Sequence, residues 1–436
     1  MARWSWQERS VGFARQSDYT TTATTGFEYL PAEVGLPDLQ RSVEEFQYGT
    51  SQVGAMEPPA VGGKHGTTFA LRFPLQSMKS GYTASTYTSG ISAANDVIAR
   101  TAVLAQHAIG GNTAGVSSNQ DLMDGKLGYD EVYDATGAQS GTTSATTVAA
   151  TTGSNYDEGN FIFVSTATTD ASPLQAFIKS IAADVLTHTE ASNNAAAASD
   201  IVWPTNTTPY TGDEFIPLTF RILGDQTEFG LIGTGAIPQS WTINARAGET
   251  PFMEITYVCT NMEWDKTIGG LQNKDAFLRL PPALGGQGAY ASFGVAGSAA
   301  VTCGLHDFSI SGENDLHFIP CHSKEQGYSD FVVTNRRLTA SVALPHDSAD
   351  AVASGEHIHE TRFAQGTDIS IGVYVGFMPG MVAAFFLPSW HISEQPKLED
   401  VEGVVYHRLQ LRAGEMSSET SGGGKAENSI FRIAFA

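Results

Sequence analysis

Short runs in which apolar and polar residues alternate recur along the chain, and this period of two predicts β-strands. Most of the runs are rich in β-branched or aromatic residues and are bounded by Gly, Pro, Asn or Asp. The predicted strands are 68–75, 160–164, 215–223, Phe252–Cys259, 331–333, 338–344, 404–411 and 430–435. The pattern therefore predicts a mainly β protein.

The predicted strand Phe252–Cys259 has two different faces. Its apolar face carries Met253, Ile255 and Tyr257, whereas the polar face, continued by one residue, carries Glu254, Thr256 and Thr260. We expect the apolar face to pack in a core and the polar face to contact water.

Helical periodicity predicts fewer elements. The clearest helix spans 93–109, where Ser92 can cap the start and Gly110 ends it. A second helix is predicted over 173–186, because its apolar residues recur at helical spacing. Those residues are Leu174, Phe177, Ile178, Ile181 and Val185. A short third helix is predicted over 347–353.

One uncharged segment, 369–390, is long enough to span a bilayer on length alone. Pro379-Gly380 interrupts its middle and Pro388 comes near its end. Two buried strands joined by a Pro-Gly turn explain this pattern better than a membrane helix. We therefore expect no membrane insertion.

An internal repeat links two distant parts of the chain. Ser240-Trp241-Thr242-Ile243 recurs as Ser389-Trp390-His391-Ile392, at a sequence offset of 389 − 240 = 149. At the same offset, Ile255 falls on Val404 and Tyr257 falls on Tyr406. Because repeated aromatic residues usually mark packing, the predicted core anchors are Trp241, Trp390, Tyr257 and Tyr406.

The repeat indicates two homologous domains. We predict an N-terminal arm over 1–35, a first domain over 36–270, a linker over 271–295 and a second domain over 296–436. Stretches composed almost wholly of Thr, Ser, Ala and Gly between about 111 and 212 indicate a large insertion in the first domain.

Charge and cysteine content exclude some classes of function. The chain has 46 acidic and 24 basic residues, a formal charge of −22, which disfavours stable binding to nucleic acid. Three cysteines, Cys259, Cys303 and Cys321, do not make a disulfide framework and favour a reducing compartment. The first residues have no apolar run that would indicate a signal peptide.

The sequence carries no recognisable catalytic motif. It has no P-loop, no nucleophile elbow and no Gly-rich dinucleotide turn. His357 and His359 would share one face of a strand, but neither this pair nor the next group has an established zinc spacing. That group is Cys303, His306, His317, Cys321 and His322. We expect no enzyme activity, no metal and no cofactor.

The order of elements over about 36–436 resembles the tail tube proteins of long-tailed bacteriophages. Each unit has a strand, a polar loop, a strand, a helix, two strands, a Ser-Trp connection and a closing strand. The resemblance implies a β-sandwich with a flanking helix, six of which form a ring around a negatively charged lumen. Rings stack into a tube through which DNA passes without specific binding. Two domains in one chain would make the ring a trimer, with the insertion outside.

The resemblance also assigns roles to particular residues. Glu254, Thr256 and Thr260 would face the lumen, although the same face could meet ordinary solvent. The loops 49–66 and 320–330 would make contacts between rings or be flexible surface loops. Their candidate residues are Gln52, Glu57, Lys64, Lys324, Glu325 and Tyr328. The implied partners are further copies of the chain and other tail proteins, such as the tape measure and the tail terminator.

Two other classes of function remain open. A different virion β-protein, such as a capsid decoration or a fibre component, would form no channel. A secreted β-sandwich enzyme or carbohydrate-binding module is disfavoured by the missing signal peptide and catalytic motif. The favoured expectation is a virion protein, made in the host cytoplasm.

Overall fold

The structure is a computed structural model. It describes residues 10–30, 32–35, 41–44, 60–64, 67–77, 100–110, 131–132, 147–149, 159–165, 174–182, 185–189, 201–203, 205–210, 215–223, 230–264, 289–295, 301–302, 305–321, 328–345, 358–377, 381–401, 403–413 and 430–436. These residues form a mainly β protein with two helices, which confirms the fold class that the alternating pattern predicts.

The elements up to residue 264 comprise most of the first half of the chain and the insertion. In chain order they are β1 (Ser10–Arg15), β2 (Glu28–Leu30), β3 (Glu33–Val34), β4 (Arg41–Glu44), β5 (Ala60–Lys64), β6 (Thr67–Pro74), helix α1 (Arg100–Ala108), β7 (Glu131–Val132), β8 (Thr147–Ala149), β9 (Phe161–Ser165), β10 (Leu174–Ala182), β11 (Val185–Thr189), β12 (Ile201–Trp203), β13 (Thr205–Pro209), β14 (Leu218–Leu223), β15 (Gly230–Arg246), β16 (Phe252–Cys259) and β17 (Asn261–Trp264). The insertion, residues 111–212, contains β7 to β13. We call the other elements within residues 10–264, which are β1 to β6, α1 and β14 to β17, the first half.

The second half of the chain, residues 289–436, contains nine strands and one helix among its described residues. They are β18 (Ala289–Val295), β19 (Val301–Thr302), β20 (Asp307–Pro320), β21 (Tyr328–Pro345), helix α2 (Ile358–Gln365), β22 (Ile369–Val375), β23 (Ala383–Ile392), β24 (Lys397–Val401), β25 (Val404–Ala413) and β26 (Arg432–Phe435).

The two halves order their strands in the same way. In the first half, neighbouring strands pair in the order β2–β1–β14–β15–β16–β6–β3. In the second half the order is β19–β18–β22–β23–β25–β21–β20. If the seven strands of each half are numbered by their order along the chain, the two halves have the same order of strands in the sheet. The residues predicted as an arm, 1–35, include β1 to β3, and those predicted as a linker, 271–295, include β18.

Each half also contains a long hairpin. In the second half, β20 and β21 pair from Asp307 with Ala343 to Pro320 with Tyr328. In the first half, Glu33 pairs with Arg72 and Arg41 pairs with Lys64. Since the spacing between the two pairs is the same on each strand, the pairing of β4 with β5 at Arg41 has the register of the pairing of β3 with β6.

The core lies between two layers of strands that β15 and β23 join. Residues 230–236 of β15 pair with β14 and β17, whereas 237–246 pair with β16 and β20. In the first half, the Phe220 ring lies 5.1 Å from that of Phe69 and 4.7 Å from that of Tyr257, by centroids. In the second half, Phe385 packs 5.8 Å from Phe308. Aromatic rings from facing strands thus fill the space between the layers.

The repeated tryptophans are both core residues. Trp241 and Trp390 are 1% and 0% exposed, and Tyr257 is 0% exposed. Tyr406 is different, because it is half-buried and its ring lies 4.7 Å from that of His306. The prediction that Tyr406 is a core anchor is therefore wrong.

The offset of the repeat changes beyond the tryptophan because the second half has an additional strand. Trp241 pairs with Ile255, but Trp390 pairs with Ala413, so the offset between these two partners is 413 − 255 = 158. The strand β24 lies in this interval and pairs with the beginning of β25. Because of this additional strand, the residue equivalent to Ile255 is Ala413 and not Val404.

Two of the helix expectations need correction. The predicted helix 93–109 is helical over Arg100–Ala108, and 93–99 lie outside the described residues. The predicted helix 173–186 is wrong, because Leu174–Ala182 and Val185–Thr189 are antiparallel strands. The predicted helix 347–353 lies outside the described residues. His359, expected in a strand, lies in α2, and His357 lies outside the described residues.

The uncharged segment 369–390 forms two strands, as predicted. β22 and β23 are antiparallel neighbours, with Val375 paired to Ala383. Both strands are almost wholly buried, which explains why the segment carries no charged residue. Neither helix in the described part of the chain is long and apolar enough to cross a membrane.

The insertion packs mainly on the second half, although it interrupts the sequence of the first half and its Tyr210 ring lies 6.5 Å from that of Trp241. Its five-stranded sheet, β12–β9–β10–β11–β8, places Phe177 against Phe386 with 4.8 Å between ring centroids. Gln175 Nε2 donates to the Gly376 carbonyl (2.6 Å). Strand β13 pairs with β26, which in turn pairs with β23. These contacts are on β22, on β26 and on the part of β23 around Ala383–Phe386, whereas the sheet described next includes only residues 390–392 of β23.

Candidate functional site

An eight-stranded antiparallel sheet runs through both halves of the chain. Its order is β3–β6–β16–β15–β20–β21–β25–β23. One face of this sheet is buried and the other is polar, as in β6, where buried and more exposed residues alternate along Thr67–Pro74. We call the second surface the polar face and take it as the candidate functional site.

One row of directly paired residues crosses the whole polar face. In strand order it consists of Glu33, Arg72, Glu254, Thr242, Ser311, Thr339, Arg412 and His391. Side chains that are directly opposite on antiparallel strands point to the same face. The described pairings of this row therefore begin at Glu33 and end at His391.

Two of the three residues predicted to face a lumen lie on the polar face. Glu254 is exposed and Thr256 is half-buried. Thr260 is completely buried, and its hydroxyl lies 2.9 Å from the Tyr19 carbonyl and 3.0 Å from the Thr234 carbonyl. The prediction for Thr260 is wrong because this residue sits at the turn from β16 to β17, where the alternation of faces is interrupted.

The polar face is not predominantly acidic over its described residues. Its carboxylates include Glu33, Glu254, Asp307, Glu313 and Asp315, and its guanidinium groups include Arg72, Arg246, Arg337, Arg408 and Arg412. Arg408 is held by Asp307 (2.8 Å) and Glu399 (2.7 Å), and these partners, Asp307 first, raise its pKa. Acidic and basic side chains are therefore mixed on the described part of this surface.

The two halves of the chain meet where β15 pairs with β20. On the polar face, the hydroxyl oxygens of Thr242 and Ser311 lie 3.1 Å apart across this joint. On the buried face, Gly312 lies opposite Trp241, and a Cβ at position 312 would overlap the indole ring. Asn314 Nδ2 also donates to the Pro238 carbonyl (3.0 Å). We call this contact the internal joint.

A small apolar cluster reinforces the internal joint. The far part of the β20–β21 hairpin packs Phe331 against Tyr19 of the first half, with 5.4 Å between ring centroids. The cluster contains Phe215, Ile237, Val258 and Phe331, with Tyr19, Leu316, Phe318 and Val333 packed against it. The hairpin of one half thus covers the surface of the other.

The corresponding edge of the second half is different. His391 and Ile392 of β23 pair with β25, as Thr242 and Ile243 of β15 pair with β16. On the other side, Ser240 to Arg246 pair with β20, whereas no described strand lies beside His391 and Ile392. His391 Nδ1 is instead 2.8 Å from a carboxylate oxygen of Asp368. We call this end of the sheet the β23 edge.

The residues predicted to lie in contacts between rings are only partly described. Lys64 ends the strand β5, so the predicted loop 49–66 is a strand over Ala60–Lys64. Tyr328 begins β21 and pairs with Pro320. Gln52, Glu57, Lys324 and Glu325 lie outside the described residues.

The described members of the cysteine and histidine group do not converge. His306 and Cys321 flank the two ends of β20, and a strand rises about 3.3 Å per residue, so they are tens of ångströms apart. Cys303 and His322 lie outside the described residues. Within the described part of the chain, no three His, Cys, Asp or Glu side chains form a group that could hold a metal ion.

A buried histidine ties each helix to the sheet. His107 of α1 stacks on Tyr257 at 5.9 Å and its Nε2 donates to the Ile216 carbonyl (2.8 Å), while burial lowers its pKa to about 4. In α2, His359 contacts His407 at 5.2 Å between ring centroids. These groups hold helices in place beneath the polar face and do not reach it.

Sequence reasoning missed most of the polar face. Glu33, Arg72, Thr339 and Arg412 gave no signal by themselves, because their alignment depends on pairings between distant strands. His391 did carry a signal, since it directly follows the repeated tryptophan. Comparison with protein-family models finds no match, and comparison with curated proteins finds no significant similarity.

Proposed function

We propose that this chain is a structural protein of a bacteriophage tail that assembles into stacked rings and forms a tube for genome delivery. In this proposal each chain contributes two related β-sandwich units, three chains close one ring, and the eight-stranded sheets join into one wall around a lumen. The protein performs no catalysis, and DNA passes through without specific binding.

The observation that carries the proposal is the contrast between the internal joint and the β23 edge. Residues 240–246 of β15 have β20 beside them. The matching residues of β23, His391 and Ile392, have no described strand on that side. An edge of this kind is a template for pairing with another chain. The first-half hairpin of a second copy can take the place that β20 takes at the internal joint.

Head-to-tail pairing of this kind gives either a closed ring or an open filament, depending on the rotation between copies. The matching strand order of the two halves supports a contact between chains that repeats the internal joint. Three chains with six units close the ring. The insertion packs on the other layer, which leaves the polar face free to line the lumen.

Within this proposal, Glu254 and Thr256 line the wall of the lumen and Thr260 does not. Carboxylates and guanidinium groups are interspersed on the proposed wall, and such a surface offers DNA no continuous row of cations. The proposed contacts between rings are the far ends of the two hairpins, near the pairs Glu44–Ala60 and Pro320–Tyr328, and Lys64 lies a few residues before the first of these ends. Other tail proteins would bind at the two ends of the tube.

Electron microscopy of the purified protein tests this proposal. We expect rings or tubes with a central hole and three-fold symmetry. Compact monomers at high concentration, with no assembly on any template, would contradict it. Solid fibres or discs without a hole would instead favour a virion β-protein that has no channel.

A further inference from the structure

The polar row shows which residues hold equivalent places in the two halves. Thr242 in β15 and His391 in β23 each directly follow one of the two repeated tryptophans. Crossing two strands from Thr242, the row passes Glu254 and Arg72 and reaches Glu33. Crossing two strands from His391, it passes Arg412 and Thr339 and reaches Ser311. Glu33 of β3 and Ser311 of β20 therefore hold the same place.

Residues at equivalent positions in the two halves are expected to have equivalent partners on the neighbouring strand. At the internal joint, Thr242 pairs directly with Ser311. If a second copy continues the sheet at the β23 edge in the same register, the residue opposite His391 is the one that corresponds to Ser311. We propose that His391 pairs with Glu33 of the next copy, forming a charged joint between chains. This inference rests on the proposed function, since it specifies how neighbouring chains in the ring meet.

The chemistry of the two row ends is complementary. One end presents the carboxylate of Glu33, whose side chain is 81% exposed and lies 3.9 Å from the guanidinium of Arg72. The other end presents His391, with a 40% exposed side chain, beside Arg412 on the neighbouring strand. Opposite charges directly across antiparallel strands stabilise the pairing, whereas like charges destabilise it.

The geometry of His391 also suits a carboxylate partner. Its Nδ1 lies 2.8 Å from Asp368 Oδ1, which leaves Nε2 for a second partner. Only the protonated imidazole has an N–H donor on each nitrogen, so contact with the carboxylates of Asp368 and Glu33 together requires that form. In the internal joint the same place holds two neutral hydroxyl groups, Thr242 and Ser311.

This difference gives the two kinds of joint separate responses to salt. A charged contact at an exposed edge is screened as ionic strength rises, whereas a contact between hydroxyl groups is not. Assembly of chains should therefore weaken in high salt while the internal joint persists. The charged ends also fix the direction of assembly, because two acidic ends or two basic ends repel one another.

Disulfide trapping tests the register directly. Residues directly opposite on antiparallel strands have Cα atoms about 4.5–5.5 Å apart, which a disulfide can span. In a background with Cys303→Ser and Cys321→Ser, the pair Glu33→Cys and His391→Cys should give covalent oligomers on oxidation, up to a closed trimer. The pair Thr242→Cys and Ser311→Cys should cross-link within one chain and leave its mass unchanged. A shifted pair, Glu33→Cys with Ser393→Cys, should cross-link at least about tenfold less.

The outcomes separate this inference from the proposed function. Rings that form without cross-linking between positions 33 and 391, while the internal pair cross-links, would overturn the proposed register and leave the ring intact. Absence of rings from the unmodified protein would overturn both. Preferential cross-linking of the shifted pair would also overturn the register.

Charge reversal gives a second test that needs no cysteine. Glu33→Lys and His391→Glu should each raise the concentration needed for assembly about tenfold, and the double variant should recover most of the loss. Glu254→Lys is a matched control on the same row but inside the chain, and combining it with His391→Glu should give no recovery. A double variant of positions 33 and 391 that assembles no better than the two single variants would contradict the pairing.

Discussion

Trp241 and Trp390 begin from the same sequence motif and finish in different surroundings. Trp241 lies against Gly312 of the other half and stacks on Phe431 at 5.7 Å. Trp390 instead donates its indole N–H to the Ile430 carbonyl (2.8 Å). Trp241 Nε1 is buried and has no hydrogen-bond partner in the described part of the chain. The motif thus marks equivalent backbone positions, while the neighbours depend on whether the strand lies at the internal joint or at the β23 edge.

The C-terminal strand connects these two positions. Ile430 accepts from Trp390, and the next residue, Phe431, stacks on Trp241. β26 then occupies, beside β23, the place that β17 occupies beside β15. In the first half this place is filled by a strand that directly follows β16, whereas in the second half the segment 414–431 separates β25 from β26. The same position in the sheet is filled by different chain connections.

The largest expected effect comes from removing either tryptophan. Trp241→Ala and Trp390→Ala should each lower the free energy of unfolding by about 3–5 kcal/mol, because each leaves a large cavity in a closed core. Chemical denaturation of the unassembled chain measures the change. A loss below about 1 kcal/mol for either variant would contradict its role as a core anchor.

Acid should destabilise the fold through its buried histidines. Burial lowers the pKa of His107 and of His188 to about 4, below the ordinary value of about 6.5. Above pH 6.5 these histidines are neutral in both the folded and the unfolded state. Between pH 6.5 and pH 4 they bind a proton only in the unfolded state. Stability should therefore fall as pH falls through this window, by about 1.4 kcal/mol per pH unit for each histidine.

Urea unfolding at pH 7, 6 and 5 checks this expectation. His107→Gln should reduce the dependence of the unfolding free energy on pH by about the contribution of one histidine. Thr339→Val, which changes an exposed residue that does not titrate, should leave it unchanged. An equal slope in the His107 variant and the unmodified protein would show that His107 is not kept neutral by burial.

A smaller effect is expected at Gly312, on the buried side of the internal joint. Gly312→Ala should lower the free energy of unfolding by about 1–3 kcal/mol, because its Cβ would overlap the indole of Trp241. Gly35→Ala is a matched control, since its nearest contacts would be 3.8 Å away. Equal stability of these two variants would contradict the close approach of Trp241 to β20.

The smallest effect is expected on the polar side of the same joint. Thr242→Val keeps the shape of the side chain but removes its hydrogen bond to Ser311, at a cost of about 1 kcal/mol. Thr339→Val, on the same row at an exposed position, should change stability by less than half of that amount. A larger loss for Thr339→Val than for Thr242→Val would contradict the assigned joint.

Sequence reasoning succeeded where one face of a strand is buried and the other is not. The strand Phe252–Cys259 has the predicted boundaries, and Met253, Ile255 and Glu254 lie on the predicted faces. It failed for 173–186, where Phe177 packs against the second half and Ile178 packs within the insertion. Since both faces of that strand are buried, its apolar residues do not alternate and imitate a helical period.

The candidate site was harder to predict than the fold. The repeat located Trp241, Trp390 and the strands around them, but the residues of the polar row come together only through pairings across eight strands. Thr260 was misassigned because the turn after Cys259 changes which face it occupies. Tyr406 was misassigned because β24 enlarges the offset between the halves from 149 to 158.

The mass of the assembled ring tests the central claim most directly. Mass photometry of single rings should give three times the chain mass of 46.3 kDa. Such a trimer would place six related units and three charged joints around one opening. Rings of six chains, or a protein that remains at the mass of one chain at assembling concentrations, would contradict the account.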